Sequence, residues 1–400
     1  MHMNSYPSMA NLPPVGVGLR ALTACLYRGG TSKGLVIPAW RPPAWAPLLG
    51  SLGQSEGVIP SGVTWDDVLA AAMGAPDDEY RRQLDGIGGG TSSTSKAVII
   101  APPPRDGGTH EYDATYSFAQ ISVTTGAVEW GGNCGNLTAA AAAFVTDEHE
   151  YMGGNGVVKG GTRRVRLLNK NTGKTVLAHV PCAPDGRYAV RGDFANPGVP
   201  GTGAPIRLEF LQPSGALTSA GCLPAAGAPV TELPGKVRAS LVDVTTAVVL
   251  LSEADGKRIG MELDGGTPVG KEALVALEHV RRAGAEAMGL DLAIDSVPKV
   301  GVVGSGVRFG ATLAARFLSM GQPYASVPLS CAMAVGAAAR LPGTVAYEAT
   351  GGRTLLDDIS IAHPAGVLEV SATLEPAQAE LASVGVTRTA RRLFAGTVFY

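Results

Sequence analysis

Apolar positions along the chain fall into two kinds of pattern. Short alternating or continuous apolar runs bounded by glycine, proline and asparagine predict strands: Leu19 to Leu26, Leu35-Val36-Ile37, Ala97-Val98-Ile99-Ile100, Tyr112 to Val123, Arg164 to Leu168, Val237 to Leu251, Lys299 to Val303, Val367 to Ala372 and Arg392 to Tyr400. Four segments read as helices. Thr64 to Gly74 has Thr64 as cap, acids in its first turn and a closing glycine. Glu272 to Met288 carries one apolar face. Leu137 to Val145 and Cys331 to Arg340 are small and apolar on every side, so each is expected to be buried all round, as inside a curled sheet.

These last two helices give the chain its organisation. Each follows a set of strands, and each has a cysteine near its start, Cys134 and Cys331. The second half therefore repeats the first in outline, although identity between the halves is too low to prove a repeat. Between them, Asn196 to Ile206 shifts sharply to glycine and proline. It reads either as a domain crossover or as an ordered loop lining an interdomain cleft.

Composition narrows the class. The 400 residues are 45% hydrophobic and 16% charged, with a net charge of −2 and 54 glycines. That describes a globular chain long enough for two domains, with no electrostatic case for nucleic acid. No apolar run is long enough to span a bilayer, so no membrane is expected. Residues 1–16 read as a disordered tail without a signal peptide. Five scattered cysteines with no CxxC argue against a disulfide framework and for a reducing, cytoplasmic setting. Six isolated histidines lack metal-ligand spacing, so no metal is expected.

Three polar stretches carry the candidate chemistry. Gly131-Gly132-Asn133-Cys134-Gly135-Asn136 places a thiol at a helix N-terminus, where unpaired N–H groups and the helix dipole favour thiolate. The same pattern also suits a structural cysteine in a turn. Arg28-Gly29-Gly30-Thr31-Ser32-Lys33-Gly34 is a turn whose hydroxyl and N–H groups could cradle a carboxylate, or simply a hairpin. Gly88-Gly89-Gly90-Thr91-Ser92-Ser93-Thr94-Ser95-Lys96 empties into a strand, unlike a Walker loop, which disfavours ATP. Lys96 is either a surface lysine or a desolvated one able to act as a base.

Taken together, these stretches resemble the PrpF-like family of methylaconitate, oxalomesaconate and methylitaconate isomerases. The carrying residues are Arg28 to Gly34, Asp85 to Lys96, Gly132 to Asn136, Gly198 to Ile206 and Leu341-Pro342-Gly343-Thr344, in family order over nearly the whole chain. The resemblance implies an α+β, diaminopimelate-epimerase-like fold: two pseudo-symmetric domains, each a curled mixed β-sheet around a central α-helix. It places residues 17–203 and 388–400 in one domain and 204–387 in the other. It also implies a cofactor-independent isomerase or tautomerase that moves a C=C bond in a small unsaturated carboxylate, with a homodimer allowed. Lys96 matches the family's acid/base lysine and Cys134 its active-site cysteine. Thr31, Ser32, Gly90, Thr91, Ser92, Asn133, Gly135 and Asn136 match positions near the substrate carboxylates.

One departure stands out. Family members often carry a His-Arg pair after a Ser-Met-Gly-Gln/Lys stretch, whereas here Ser319-Met320-Gly321-Gln322-Pro323 is followed by Tyr324-Ala325. Loss of a guanidinium fork argues for a substrate with fewer charges, or with a hydroxyl or carbonyl at that end. Arg308 is a candidate replacement or a surface charge, and Tyr324 and Ser330 are the expected contacts from the second half. Two other readings keep the same pocket. One is a two-base racemase using Cys134 and Cys331, and the other is a carboxylate-binding homologue with altered catalysis.

Overall fold

The computed structural model describes residues 21–39, 64–104, 110–148, 161–225, 227–353, 358–375 and 380–400. The expected tail at 1–16 lies outside them. The first half begins with β1 (Ala21–Gly29) and β2 (Ser32–Pro38), joined by the tight turn Gly30-Thr31. Helix α1 (Trp65–Met73) has the capping box of Thr64 with Asp67 and ends at left-handed Gly74. Strands β3 (Lys96–Ala101), β4 (Ala114–Ile121) and β5 (Val128–Glu129) precede helix α2 (Gly135–Asp147). Then come β6 (Gly161–Asn169), β7 (Thr175–Cys182), the small pair β8 (Phe194–Ala195) and β9 (Thr202–Gly203), and β10 (Ile206–Leu211).

The second half runs β11 (Thr231–Leu233), β12 (Val237–Val244), β13 (Thr246–Ser252), α3 (Glu253–Ile259), α4 (Lys271–Ala287), β14 (Lys299–Ser305), β15 (Leu313–Ser319) and β16 (Gln322–Pro323). Helices α5 (Leu329–Ala338) and α6 (Val345–Ala349) follow, then β17 (Ile359–His363), β18 (Gly366–Leu374), β19 (Leu381–Arg388) and β20 (Ala390–Phe399).

The two halves share one pairing code. From β1 through β2, β3, β4, β6, β7 and β10, successive neighbours are antiparallel, parallel, antiparallel, parallel, antiparallel and antiparallel. From β12 through β13, β14, β15, β17, β18 and β19 the same order recurs. Helices α2 and α5 occupy the same place in that order. The last strand, β20, returns to the first half and pairs with β1. The final strands of the two series, β10 and β19, pair with each other and join the sheets.

Each central helix is enclosed, as its all-round apolar surface requires. Residues Gly135 to Thr146 of α2 are buried, and so is every residue of α5. Both belong to one continuous hydrophobic core with the inner faces of the sheets. The helices meet at their N-terminal ends. A Cβ on Gly135 would stand 3.0 Å from Leu329 Cδ2, so the two ends approach closely against the bare glycine. The Gly/Pro segment at 196–206 is an ordered connection: β8 pairs with β9, and a Cβ on Gly198 would lie 2.9 Å from Thr31 Cγ2.

Candidate active site

A cleft with about 450 Å³ of empty space, its open mouth included, lies where the two central helices meet. Residues of both halves line it, among them Lys96, Gln120, Asn133, Cys134, Lys299 and Tyr324. Lys96 is the first residue of β3 and is only 7% exposed. Register places it opposite Gln120 on β4. The Gln120 amide cannot turn freely, because its Nε2 donates to Ser95 O at 2.9 Å and Ser92 O at 3.2 Å. Its Oε1 therefore faces Lys96 and accepts a hydrogen bond from Nζ. Nζ also lies 5.2 Å from the centre of the Phe118 ring.

No carboxylate pairs with Lys96 among the described residues. Burial is the main force on its charge and pushes the ammonium pKa below its ordinary value. The nearby Cys134 opposes this shift, whereas Lys299 adds to it. The net downward direction favours the uncharged amine, the form able to accept a proton.

Cys134 is the N-cap of α2, with an extended backbone and no capping bond from its side chain. Its Sγ donates toward Ser32 Oγ across 4.0 Å. Pro328, at the N-cap of α5, cannot cap through its side chain either. Two helix N-termini thus open toward the cleft with their first N–H groups uncapped by side chains. The loop before α2 is fixed from behind. Asn171 Nδ2 donates to Trp130 O and Phe118 O, and Tyr116 Oη reaches Asn133 Oδ1 at 3.5 Å and Thr138 Oγ1 at 3.1 Å.

Thr31 and Ser32 stand behind the thiol, outside the cleft lining, in contact with Asn136. Asn136 Nδ2 donates to Thr31 Oγ1 at 3.1 Å and Ser32 Oγ at 3.4 Å. A Cβ on Gly30 would come within 2.0 Å of Asn136 Oδ1, and the residue has φ +48°, so this approach requires glycine. The hydroxyl of Tyr324 bonds to Ser32 and Thr31, and burial raises its pKa above the usual phenol value.

The remaining expected residues divide. Asn133, Gly135, Asn136, Tyr324 and Ser330 line the cleft with Lys96 and Cys134. Gly90, Thr91 and Ser92 line a larger neighbouring cavity that shares Ser319 with it. Thr91 is exposed, and its hydroxyl is engaged by Ser93 and Thr94 within the loop. Arg308 lies away from the cleft. It sits in a surface 3-10 turn, 54% exposed, paired with Glu253 at 2.7 Å and stacked on Phe309. Its position therefore corrects the expectation that it replaces the missing basic pair. Cys331 is enclosed within α5, where burial pushes its thiol up to about 12. It is not among the residues that line the cleft.

Sequence reasoning missed four polar residues around the site: Gln120, Ser296, Lys299 and Arg388. Arg388, the last residue of β19, is 6% exposed and has no acidic partner among the described residues. Its Nε donates to Asn136 Oδ1 at 3.3 Å and its Nη1 to Thr387 O at 2.8 Å. Burial lowers its pKa to about 10, with Tyr324 acting against the shift. The only sequence signal was a lone arginine in an otherwise apolar strand. Among the described residues, no cluster of three or more His, Cys, Asp or Glu side chains is placed to hold a metal ion.

Comparison with known proteins finds relatives in both sequence and fold. The sequence model of the PrpF family, described as PrpF protein, matches residues 20–400. A 2-methyl-aconitate isomerase of Shewanella oneidensis is 32% identical, with 94% of this chain and 96% of that protein covered. A 4-oxalomesaconate tautomerase of Pseudomonas putida is 33% identical, with 96% and 97% covered. Among solved structures, a methylitaconate-delta-isomerase superposes with a TM-score of 0.69 at 28% identity, covering 95% of this chain and 96% of the other. The fold is diaminopimelate-epimerase-like.

Proposed function

Because the chain belongs to the PrpF family, we propose that it is a cofactor-independent isomerase that moves a C=C bond in a small unsaturated carboxylate by allylic proton transfer. The observation that carries this reading is one cleft holding a buried lysine with no acidic partner among the described residues, a thiol, and the N-termini of both central helices.

The steps follow from the residues. Lys96, neutral through burial, removes a proton from the carbon next to the C=C–C=O system. The electron pair spreads onto the carboxylate side as a dienolate. Backbone N–H groups at the start of α2 and α5 stabilise that charge where it develops. The thiol of Cys134 delivers a proton to the other end of the allyl unit, and the thiolate is then reprotonated from solvent or from Lys96. A positioned acid or base typically contributes roughly 10²–10⁴-fold, so stabilisation of the dienolate supplies much of the remainder. Rotation within the intermediate before reprotonation would give a cis–trans outcome from the same groups.

The substrate class rests on the relatives. The proteins compared act, by their names, on methylaconitate, oxalomesaconate and methylitaconate. A screen by proton NMR in deuterated water, with unsaturated di- and tricarboxylates and matched monocarboxylate enoates, tests the reading. Double-bond migration with deuterium entering the allylic carbon is expected. Loss of chirality at a saturated α-carbon without alkene migration would favour a racemase instead. Binding of these acids without any proton exchange would point to a non-catalytic carboxylate-binding protein.

A further inference from the structure

The repeated pairing code builds the polar lining of the cleft twice. Lys96 heads β3 and Lys299 heads β14, the equivalent strand of the second half. Lys96 faces Gln120 across the β3–β4 pair. In the second half Gly301 faces Phe317, and extending that register by two residues sets Lys299 opposite Ser319. Gln120 is long enough to reach the amine of Lys96, whereas serine is too short to serve Lys299 in the same way. Lys299 bends instead to the carbonyl of Ser296 and is half-buried, where Lys96 is almost fully enclosed. One fold position thus holds an enclosed amine in the first half and a more accessible one in the second.

From this juxtaposition we infer that Lys299 Nζ and Ser296 Oγ form the seat of a second substrate carboxylate, facing Lys96 and Cys134 across the cleft. The identity of the ligand rests on the isomerase reading. Both residues line the cleft. No carboxylate pairs with Lys299 among the described residues, and its one hydrogen bond leaves further ammonium donors available. Ser296 is 5% exposed, yet its Oγ has no partner among the described residues. A buried hydroxyl left without a partner at the wall of a cleft calls for a ligand atom. The acids nearby are already engaged. Glu129 Oε2 accepts the Ser296 N–H at 3.1 Å, and Arg281 holds Glu278 at 2.7 Å and Asp295 at 3.5 Å.

The same placement serves the chemistry. The charge on Lys299 disfavours protonation of Lys96. A carboxylate seated on Lys299 is held at the far end of the substrate, leaving the near end for the helix N-termini.

Calorimetric titration of the full chain with methylsuccinate, an unreactive diacid, and with butanoate, its monoacid counterpart, tests the seat without turnover. Wild type should prefer the diacid by about tenfold or more, as expected for a hydrogen-bonded charge pair. Lys299→Gln should erase that preference while leaving butanoate affinity within about twofold, a result that also reports an intact cleft. Ser296→Ala should reduce the preference in part, and Lys299→Arg should restore most of it. A diacid preference unchanged in Lys299→Gln, or absent from wild type, overturns the seat. If the preference behaves as expected but no carboxylate exchanges protons in deuterated water, the seat stands and the isomerase reading fails.

Discussion

Gln120 is the residue whose removal separates a positioned base from a merely buried amine. In Gln120→Met the side chain keeps its length and loses its polar end. Lys96 Nζ loses its acceptor, and Ser95 O and Ser92 O lose donors at 2.9 and 3.2 Å. Each neutral hydrogen bond contributes about 1 kcal/mol net, and each buried group left unpaired costs about 1–3 kcal/mol. The expected destabilisation is therefore about 2–4 kcal/mol, read as a lower midpoint in urea with an unchanged slope. The catalytic loss should be larger in proportion. An amine free to swing by about 1 Å forfeits roughly 10²-fold in rate, so kcat should fall by that order with little change in KM. The assay is deuterium incorporation into the allylic carbon. In a Lys96→Met background the Gln120 change should cost no further rate, because the two act as one unit. A Gln120→Met enzyme with kcat within about twofold of wild type, or rate losses that add fully in the double variant, would refute the positioning of Lys96 by Gln120.

Further outcomes follow from the buried charges. Lys96 has its folded pKa lowered by burial, so the unfolded chain binds its proton more readily. Stability should rise with pH from that lowered value up to the ordinary lysine range, and Lys96→Met should remove this part of the slope in denaturation curves at several pH values. His363 is held neutral, pushed down to about 4 by burial and then by Arg388. Its contribution is complete above about pH 6.5 and is lost as pH falls toward 4, amounting to about 3 kcal/mol there. His363→Asn, which keeps an acceptor for the Ala365 N–H, should flatten that acid limb in urea titrations. Arg388→Met removes a buried cation that has no acidic partner among the described residues, so stability should change by no more than about 1 kcal/mol. KM should nevertheless rise by about tenfold, because Asn136 loses the contact that aims its amide at Thr31 and Ser32. A stability loss with unaltered KM would make Arg388 purely structural.

The sequence made the central helices legible because alanine and glycine on every face leave few alternatives to enclosure. Lys96 and Cys134 were legible because each sits at a break in pattern, where a hydroxyl-rich or glycine-rich loop meets an apolar element. Gln120 was not, because it reads as an ordinary polar residue in a strand, and its role exists only through the register that sets it opposite Lys96. Lys299 was hidden for the same reason: its relation to Lys96 lies in the pairing order of the sheets, which the divergent halves do not display in sequence. Arg388 and Asn136 are 252 residues apart along the chain and meet only because β19 ends beside the start of α2. Arg308 illustrates the converse. A basic residue beside glycines is expected near a ligand, but Glu253 and Phe309 hold it at the surface.

The division of labour between Lys96 and Cys134 is tested most directly by following where solvent deuterium enters a migrating alkene in wild type, Lys96→Ala and Cys134→Ala. Wild type should incorporate label with migration of the double bond. Lys96→Ala should lose both exchange and migration, whereas Cys134→Ala should retain exchange at the carbon served by the lysine and lose migration. Wild-type exchange in Lys96→Ala would contradict the lysine's role as the base.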